Sequence, residues 1–473
     1  MSTVIKFGTS GWRAIIAEDF TFANVRLATA AIAEHARSRN PKPTLIVGHD
    51  TRFFGEEFAR TAADILREHG IRVLLCDAPV PTPAVSYEIR RRHVDGAINF
   101  TASHNPSEYQ GLKFSGPDGG PALPEVTRDI EARAAMLGER APAKPTDAPF
   151  EQINPRDAYL ERLEQLVDFK SLRDAKLGFV TDALHGCGAG YLDRALSAHS
   201  VEVRAQRTGR DVLFDGSGPD VSEENLRTLR EAVLAKRAAA GLATDGDADR
   251  FGILDFDGTW MQPNHILGLL YDYIVETRKW ELPAARSVAT SHLLDAVAQH
   301  HGTTVFQTPV GFKYIGELIQ QDKIAMGGEE SAGMSIRGHL PEKDGILACL
   351  LVAEMIAVRR ASLLEQLRAL FKKVGREFWP LRANLHLPDN VKARTLNRLK
   401  ADFSTFLGRR VKSLDRTDGL KIEFGDGSWV LLRLSGTEPL MRVYTEAATL
   451  KESSNIASET QAWVMDTAQE AKA

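Results

Sequence analysis

The chain has 473 residues, which is too long for one hydrophobic core and predicts three or four domains. Its net charge of −4 disfavours nucleic acid as the main partner and fits small anionic substrates better. Three widely spaced cysteines, and the lack of an apolar leader or a membrane-length apolar run, predict a cytoplasmic protein without disulfides, zinc site or membrane segment.

Apolar runs alternate with helical patterns through the first part of the chain. We predict strands at residues 4–7, 44–48, 73–76 and 97–100, and helices at 22–38 and 56–69. This alternation predicts a mostly parallel sheet with helices on both faces and with ligand groups at the strand ends. Arg13, in a glycine-flanked turn, and Asp50 and Arg52, after the second of these strands, stand at such ends. Arg13 either forks two bonds to a phosphate or lies in a plain surface turn.

The loop after the strand at 97–100 reads Thr-Ala-Ser-His-Asn-Pro and contains Ser103 and His104. Ser103 could serve as a nucleophile or a phosphate carrier, because a hydroxyl in a tight loop after a strand is fixed in one orientation. An ordinary loop whose side chains bond their own backbone is the alternative. His104 could act as an acid or base, or fix the loop through a backbone bond. From periodicity alone, Lys113 is predicted to point outward from a strand.

The composition changes at residues 138–155 to Ala, Pro, Lys and Asp, which predicts a linker. A helix near 157–167 and a strand at 176–180 then open the second unit. The following run contains Gly186, Gly188 and Gly190, but it lacks the G-x-G-x-x-G spacing of a dinucleotide loop. We therefore interpret it as close packing of strand against helix.

Three carboxylates stand at alternate positions, separated only by Gly and Ala: Asp245, Asp247 and Asp249. They repel one another unless a hard cation lies between them, so Mg²⁺ is the predicted ligand and a solvated acidic turn is the alternative. An EF-hand is excluded, because Arg250 and Phe256 stand where its loop needs Gly and Glu. A phosphate oxygen on Ser103 could complete the coordination, and Arg250 could bind the same phosphate from another side.

Two loops flank a predicted helix at 314–320 in the third unit. The first contains Gly311 and Lys313, and the second contains Glu329 and Ser331. Because Glu329 and Ser331 are two positions apart, both face one way if the loop is extended, and together they suit the vicinal hydroxyls of a sugar. An acidic glycine loop without function is the alternative. Lys343, next to Asp344, either adds to this sugar site or lies in a solvated turn.

The last unit follows a basic stretch at residues 371–377. A helix at 391–407 and strands at 419–424 and 428–434 predict a smaller α+β domain with antiparallel pairing. A predicted anion site lies between the last strand and a following helix; it contains Arg433, Ser435, Gly436, Thr437 and Arg442. A turn with scattered arginines is the alternative.

Five of these stretches, at residues 7–13, 101–106, 245–250, 328–333 and 433–439, resemble motifs of the alpha-D-phosphohexomutase superfamily, the phosphoglucomutases and phosphomannomutases. They occur in the family's order and span almost the whole chain. The resemblance implies three similar mixed or parallel α/β sandwich domains and a smaller C-terminal α+β domain around a central cleft. The domains would be residues 1–152 with the serine loop, 153–257 with the metal loop, 258–372 with the sugar loop, and 373–473 with the phosphate loop.

The resemblance also implies an activity, a cofactor and partners. The enzyme would interconvert hexose 1-phosphate and hexose 6-phosphate through a phosphoserine and a hexose 1,6-bisphosphate, with one Mg²⁺ per chain. The implied catalytic residues are Arg13, Ser103, His104, Lys113 and Arg250, and the implied metal ligands are Ser103, Asp245, Asp247 and Asp249. The implied substrate-binding residues are Gly311, Lys313, Glu329, Ser331, Lys343, Arg433, Ser435, Gly436, Thr437 and Arg442. Small sugar phosphates would be the partners of a monomer or homodimer.

The sugar is predicted from the residues of the sugar loop. Glu-Glu-Ser followed by the small Ala332 resembles glucose-selective members, whereas mannose/glucose and glucosamine enzymes often show Gly-Glu-x-Ser-Gly-His. We therefore favour glucose phosphates, with mannose or dual specificity as the alternative. A serine hydrolase would need a G-x-S-x-G elbow, which the Ser103 loop lacks. A phosphosugar sensor without catalysis would have lost Ser103 or an aspartate, and all are present.

Overall fold

The structure, a computed structural model, describes residues 5–8, 10–137, 149–387, 389–434 and 440–466. Four principal sheets follow one another along the chain, and each forms the centre of one domain. None of the helices in these ranges is both long enough and apolar enough to cross a membrane.

The first domain contains a six-stranded sheet in the order β1-β5-β4-β2-β3-β6. Its elements are β1 (Trp12–Ile15), α1 (Phe22–Arg39), β2 (Thr44–His49), α2 (Gly55–Glu68), β3 (Arg72–Cys76), α3 (Thr82–Arg92), β4 (Gly96–Phe100), β5 (Tyr109–Ser115), α4 (Pro124–Leu137) and β6 (Glu151–Ile153). The strands β4, β2, β3 and β6 are parallel, whereas β5 runs antiparallel to both β1 and β4. The predicted strand at 4–7 is wrong, because residues 5–7 lie outside any strand. Part of the predicted linker forms β6, and residues 138–148 of it lie outside the described ranges.

The second domain contains a five-stranded sheet in the order β11-β10-β9-β7-β8. Its elements are α5 (Arg156–Glu164), α6 (Phe169–Ala175), β7 (Gly178–Asp182), α7 (Leu192–Ala198), β8 (Glu202–Gln206), α8 (Arg227–Lys236), β9 (Ala240–Thr244), β10 (Phe251–Asp255) and β11 (Trp260–Met261). The strands β9, β7 and β8 are parallel, and β10 returns antiparallel to β9.

The third domain contains a four-stranded sheet in the order β13-β12-β14-β15. Its elements are α9 (Pro263–Arg278), β12 (Ala284–Ser287), α10 (Leu293–His300), β13 (Val305–Thr308), α11 (Phe312–Gln320), β14 (Met326–Glu329), β15 (Gly333–Ile336), α12 (Gly345–Arg359) and α13 (Leu363–Val374). Helix α12 is apolar around its whole circumference and is buried along nearly all of its length, as expected for a helix inside a core. Its side chains belong to a hydrophobic cluster that continues into the second domain.

The fourth domain is a six-stranded antiparallel sheet in the order β16-β21-β20-β19-β18-β17, with α15 packed against it. Its elements are β16 (Trp379–His386), α14 (Asp389–Arg398), β17 (Thr405–Phe406), β18 (Arg409–Asp415), β19 (Leu420–Phe424), β20 (Trp429–Leu434), β21 (Leu440–Ala447) and α15 (Leu450–Met465). Two predictions are wrong here. Helix α14 ends at residue 398, well before 407, and the element after the predicted anion site is the strand β21 instead of a helix.

Three of the predicted functional loops share one structural position. Each connects two neighbouring antiparallel strands: residues 101–108 join β4 to β5, 245–250 join β9 to β10, and 330–332 join β14 to β15. In the three α/β domains the first strand of the pair is a parallel strand of the sheet. These loops therefore lie at strand ends, where open α/β sheets bind ligands.

Candidate active site

Ser103 lies in a strained loop between β4 and β5. Its φ is +53°, in the left-handed region that residues other than glycine rarely adopt. Its backbone N–H donates to Thr101 Oγ1 at 2.9 Å, and the residue is buried. The surrounding contacts must hold this conformation, because it is unfavourable by itself.

The guanidinium of Arg52 makes most of those contacts. It donates to four carbonyl oxygens of the loop, those of Ser103 (2.7 Å), Asn105 (2.5 Å), Pro106 (2.7 Å) and Tyr109 (3.0 Å). Arg52 is fully buried, and its Nε lies 3.3 Å from Oδ2 of the equally buried Asp50. The sequence placed Arg52 at a strand end, but nothing in it indicated that this side chain anchors the serine loop.

The Ser103 hydroxyl points toward the aspartate loop, residues 245–250. Oγ donates to Asp245 Oδ2 at 2.8 Å and lies 3.3 Å from Nδ1 of His104. The two loops also touch through their backbones, because a Cβ added to Gly246 would lie 2.6 Å from the carbonyl oxygen of Ser103. Residues from two domains thus form one polar site. With its hydroxyl proton directed at Asp245, Ser103 does not form the serine–histidine arrangement of a hydrolase.

The three aspartates of that loop converge. One carboxylate oxygen of each of Asp245, Asp247 and Asp249 lies within 4.8 Å of the others. Lys113 Nζ donates to Oδ2 of Asp247 at 2.5 Å and to Oδ2 of Asp249 at 2.8 Å. Lys343 Nζ lies 3.1 Å from the same oxygen of Asp249. The ammonium groups of the two lysines therefore bind Oδ2 of Asp247 and Oδ2 of Asp249.

The remaining oxygens of this loop fit a divalent cation. Oδ1 of Asp247 and Oδ1 of Asp249 are buried and have no hydrogen-bond partner among the described residues. Hard cations such as Mg²⁺ take carboxylate oxygens as ligands. Burial, together with the charges of Asp247 and Asp249, raises the pKa of Asp245 well above its usual range. The donor set of this loop therefore matches a metal site in both geometry and charge.

Lys113 and Lys343 are both buried, in contrast to two interpretations of the sequence. Lys113 does not point outward from β5, and Lys343 does not lie in a solvated turn. Burial lowers the pKa of Lys113, but the charges of Asp247 and Asp249 outweigh it, so the pKa is raised. Burial raises the pKa of Asp249, but Lys113 and Lys343 outweigh it and hold that pKa well below its usual range. The lysines and aspartates thus stabilise one another's charged forms.

Three further basic residues contact the serine loop or the aspartate loop: Arg13, Arg250 and His104. Arg13 Nη1 donates to the Asn105 side-chain oxygen at 2.8 Å, and burial next to Arg250 lowers the pKa of Arg13 to about 10. The backbone N–H of Arg250 donates to Asp245 Oδ1 at 3.1 Å. Burial and the nearby arginines lower the pKa of His104 well below its usual range. His104 is therefore a neutral imidazole at neutral pH.

A cavity of about 430 Å³ lies beside these residues. All four domains line it, with His104 from the first, Arg250 from the second, Glu330 and Ser331 from the third, and Arg382 and Tyr444 from the fourth. Its volume is in the range of small-molecule sites. A larger groove of about 940 Å³ lies at the opposite end of the second sheet, where β7 and β8 begin, and contains none of the predicted site residues.

The sugar loop is a turn in a β-hairpin, so Glu329 and Ser331 do not stand side by side on an extended segment. Glu329 ends β14 and is buried, and its Oε1 accepts the backbone N–H of Gly311 at 2.7 Å. Ser331 and Glu330 lie in the turn and line the cavity. Lys313 is in the first turn of α11, 5.5 Å from the centre of the Tyr314 ring. The loops at 307–313 and 327–333 are therefore joined by the Glu329–Gly311 bond.

Glu329→Gln is expected to remove a pH dependence of stability. Burial and the charge of Glu330 raise the pKa of Glu329 to about 7 from an ordinary value of 4.5. As pH rises through this interval, the unfolded carboxyl ionises before the folded one, so the wild type loses stability and Glu329→Gln does not. Across this interval the free energy of unfolding of Glu329→Gln therefore rises by roughly 3 kcal/mol relative to that of the wild type. Thermal unfolding at pH 5 and at pH 8 measures this change. The Tm of Glu329→Gln relative to that of the wild type should be higher at pH 8 than at pH 5.

The matched control for this measurement is Glu231→Gln, since Glu231 is exposed on α8. It should shift Tm equally at both pH values. A Tm difference between Glu329→Gln and wild type that is the same at pH 5 and pH 8 would show that Glu329 ionises in the folded protein at its ordinary pKa.

Arg433 and Arg442 lie directly opposite each other on β20 and β21. Like charges in this position repel, and Asp418 Oδ2 lies 2.9 Å from Arg433 Nε. A bound anion would stabilise such a pair. The other members of the predicted anion site, Ser435, Gly436 and Thr437, lie outside the described residues.

Four family models for phosphoglucomutase/phosphomannomutase together match most of the chain. They are alpha/beta/alpha domain I at residues 4–140, domain II at 157–258, domain III at 262–374 and the C-terminal domain at 355–462. The chain belongs to this family. The predicted superfamily, the four-domain fold and the enzyme class, an intramolecular phosphotransferase, are thereby confirmed. The domain boundaries that we derived from the sequence stay predictions.

Several family members resemble the chain over nearly its whole length. The phosphoglucomutase/phosphomannomutase of Thermococcus kodakarensis is 30% identical over 454 residues, which cover 93% of this chain and 94% of that protein. The phosphoglucosamine mutase of Thermobifida fusca is 29% identical over 463 residues, covering 95% and 96%. A solved structure, described as a "putative phosphomannomutase" from Thermus thermophilus, has a TM-score of 0.87 and 33% identity and covers 98% of this chain and 100% of that one. Because these phosphohexomutases are named for different sugars, the sugar of this enzyme stays a prediction.

Proposed function

We propose that this phosphohexomutase interconverts hexose 1-phosphate and hexose 6-phosphate, preferentially of glucose, through a phosphoserine at Ser103. The observation that carries the proposal is the bond from Ser103 Oγ to Asp245, 2.8 Å long, inside a site with two further aspartates and Lys113. A nucleophilic oxygen, a set of metal ligands and buried cations are the parts that phosphoryl transfer requires.

The proposed cycle begins with phosphate on Ser103 and hexose 1-phosphate in the cleft. As the sugar O6 bonds to phosphorus, the bond from phosphorus to Ser103 Oγ breaks, which gives a hexose 1,6-bisphosphate. The bisphosphate turns over, Ser103 takes the phosphoryl group from O1, and hexose 6-phosphate leaves. His104 is neutral and lies 3.3 Å from Ser103 Oγ, so we assign it to accept the O6 proton and to give it to Oγ as that oxygen leaves phosphorus. In the second transfer it moves the Oγ proton to the departing O1.

The cations of the site have distinct tasks in this proposal. Mg²⁺ held by Asp245, Asp247, Asp249 and a phosphate oxygen on Ser103 would offset negative charge on the phosphoryl group. Lys113 donates to Asp247 and Asp249, keeps Asp249 ionised and places positive charge beside the reacting centre. Arg13, which contacts Asn105 of the serine loop, and Arg250, which contacts Asp245, bind the equatorial phosphate oxygens.

The third and fourth domains hold the sugar in either orientation. Glu329 and Ser331, with Gly311, Lys313 and Lys343 around them, recognise the ring hydroxyls. The phosphate that does not react binds at residues 433–437 and Arg442, for which the opposed arginines supply the charge. A cleft lined by all four domains leaves the bisphosphate room to reorient without release. We propose a cytoplasmic monomer or homodimer for the working enzyme.

The phosphoserine is tested by labelling. After incubation with glucose 1,6-bisphosphate that carries ³²P, we expect label at Ser103 in the tryptic digest, at up to one phosphoryl group per chain. Unlabelled glucose 6-phosphate should then remove it as labelled bisphosphate. A chain that stays unlabelled while it converts glucose 1-phosphate to glucose 6-phosphate would refute the phosphoserine cycle.

The sugar is tested by a separate assay, so that its outcome does not depend on the labelling. We expect kcat/KM for glucose 1-phosphate to exceed that for mannose 1-phosphate and glucosamine 1-phosphate by roughly tenfold or more, because one misplaced hydroxyl leaves a polar group of the site unpaired. A higher value for either other sugar would replace glucose as the substrate and leave the phosphoserine cycle intact.

A further inference from the structure

The N-terminus of helix α3 contacts the aspartate loop in a way that the cycle above does not use. The backbone N–H of Thr82 donates to the carbonyl oxygen of Asp247 at 2.9 Å, and Thr82 Oγ1 donates to Asp247 Oδ2 at 2.5 Å. The two residues are 165 positions apart and belong to different domains. Thr82 therefore binds both the backbone and the carboxylate of one proposed metal ligand.

A second side chain fixes the direction of the Thr82 hydroxyl proton. Asn99 Nδ2, on β4, donates to Thr82 Oγ1 at 3.2 Å. An amide nitrogen can only donate, so the hydroxyl oxygen is the acceptor in that bond and its own proton is left for Asp247. Thr82 and Asn99 are both 4% exposed and Asp247 is fully buried, so bulk water does not compete for these bonds.

These bonds divide the two oxygens of Asp247 between different roles. Oδ2 accepts from both Thr82 Oγ1 and Lys113 Nζ, each at 2.5 Å, whereas Oδ1 is buried and receives no hydrogen bond from the part of the chain that the structure describes. Two donors on one oxygen stop the carboxylate from rotating about its last bond. Oδ1 thus keeps a constant direction.

We propose that Thr82, oriented by Asn99, is a positioning residue that aims Oδ1 of Asp247 at the divalent cation of the active site. The proposal rests on the metal role that we propose for the three aspartates. Thr82 touches neither the cation nor the substrate; it acts through the carboxylate, as outer-shell partners of metal ligands do. It also ties the metal loop of the second domain to the first domain, which carries Ser103.

The decisive measurement is Mn²⁺ binding to the whole protein, followed by electron paramagnetic resonance without substrate. Thr82→Val keeps the shape of the side chain and removes the hydroxyl, and we expect it to raise the Mn²⁺ dissociation constant by about 10- to 100-fold. In assays, the Mg²⁺ concentration for half-maximal rate should rise by a similar factor, and kcat at saturating Mg²⁺ should change much less.

A second pair of variants covers the case in which Thr82→Val does not fold. Thr82→Ser and Thr82→Ala both lack the methyl group and differ only in the hydroxyl, so Ser should bind Mn²⁺ within about threefold of wild type and Ala should bind about 10-fold or more weakly. Thr29→Val is the control for loss of a buried hydroxyl in the same domain, since Thr29 Oγ1 on α1 has no hydrogen-bond partner within the described ranges. It should bind Mn²⁺ like wild type.

Two outcomes separate this inference from the proposed function. If wild type and Asp247→Asn bind Mn²⁺ equally, the aspartates are not the metal site and the proposed function fails with the inference. If Asp247→Asn loses binding while Thr82→Val, or Thr82→Ala, binds Mn²⁺ as tightly as wild type, the metal site stands and the positioning role of Thr82 is overturned.

Discussion

Ser103→Ala is expected to reduce the interconversion of hexose 1-phosphate and hexose 6-phosphate by about 10⁵-fold or more, the scale seen when a covalent nucleophile is removed from an enzyme. Without Oγ there is no oxygen to carry the phosphoryl group between the two halves of the cycle. The site offers no substitute, because His104 faces the same position as a neutral imidazole with its own role. The rate is measured with glucose 1-phosphate, Mg²⁺ and a trace of glucose 1,6-bisphosphate.

Two controls make the loss specific. Ser107→Ala, four positions further along the same loop, should retain the wild-type rate. Ser103→Ala should bind Mn²⁺ within a few-fold of wild type, because Asp245, Asp247 and Asp249 remain. A variant that binds the metal and is fully active would show that the phosphoryl group is carried elsewhere, whereas one that fails to bind the metal would make the activity loss uninformative about the nucleophile.

The sequence predicted those parts of the site that a short stretch of neighbouring residues defines. The alternation of Asp245, Asp247 and Asp249 is visible within five residues, and so is the serine loop between an apolar run and a proline. Alternating strands and helices likewise fixed the α/β character of the first three domains. Such features depend on neighbours in the chain, which a sequence displays directly.

The missed features depend on partners far away in the chain. Arg52 donates to the carbonyl oxygen of Ser103, 51 positions away, and Thr82 contacts Asp247 across 165 positions. Lys113 follows the alternation of an exposed strand position, but its ammonium group meets carboxylates of another domain. No local pattern distinguishes a buried cation of this kind from a solvated one, because the burial is produced by the packing of domains.

The sugar and phosphate loops show a related limit. Spacing alone suggested that Glu329 and Ser331 share one face, but a positive φ of 70° at Ala332 belongs to a tight hairpin turn, which separates them. The strand β21 was missed because it is buried on both faces, so its residues do not alternate between apolar and polar. In both places the pairing of strands overrides the pattern along a single segment.

The side chain of Arg52 holds the serine loop in its conformation. Its planar guanidinium donates hydrogen bonds to four carbonyl oxygens of the serine loop and holds Ser103 at its unfavourable φ of +53°. The second domain supports it, since the Phe214 ring lies 5.1 Å from its central carbon and Arg210 donates to its carbonyl oxygen at 3.2 Å. A lysine has three donors at one point and cannot reach all four acceptors.

Arg52→Lys is therefore expected to lower kcat by about 10²- to 10³-fold through displacement of Ser103 from the reacting position. Arg52 does not line the cleft, so KM for hexose 1-phosphate should change by less than about threefold, since a loop that no longer aims its hydroxyl lowers kcat and leaves binding largely intact. The rate at which labelled glucose 1,6-bisphosphate phosphorylates Ser103 should fall by the same factor as kcat, which separates misplacement of the serine from slow product release.

Arg72→Lys is the matched control, because Arg72 lies in the same sheet and pairs with Glu151 at 2.7 Å on the exposed surface. It should retain wild-type kcat. The thermal stability of Arg52→Lys is expected to fall as well, since buried carbonyl groups lose their donors. The kinetic comparison is therefore made well below the Tm of the variant. Mn²⁺ binding shows whether its aspartate loop is intact. A folded Arg52→Lys protein that binds Mn²⁺ and keeps the wild-type rate of Ser103 phosphorylation would mean that the loop holds its strained conformation without the guanidinium.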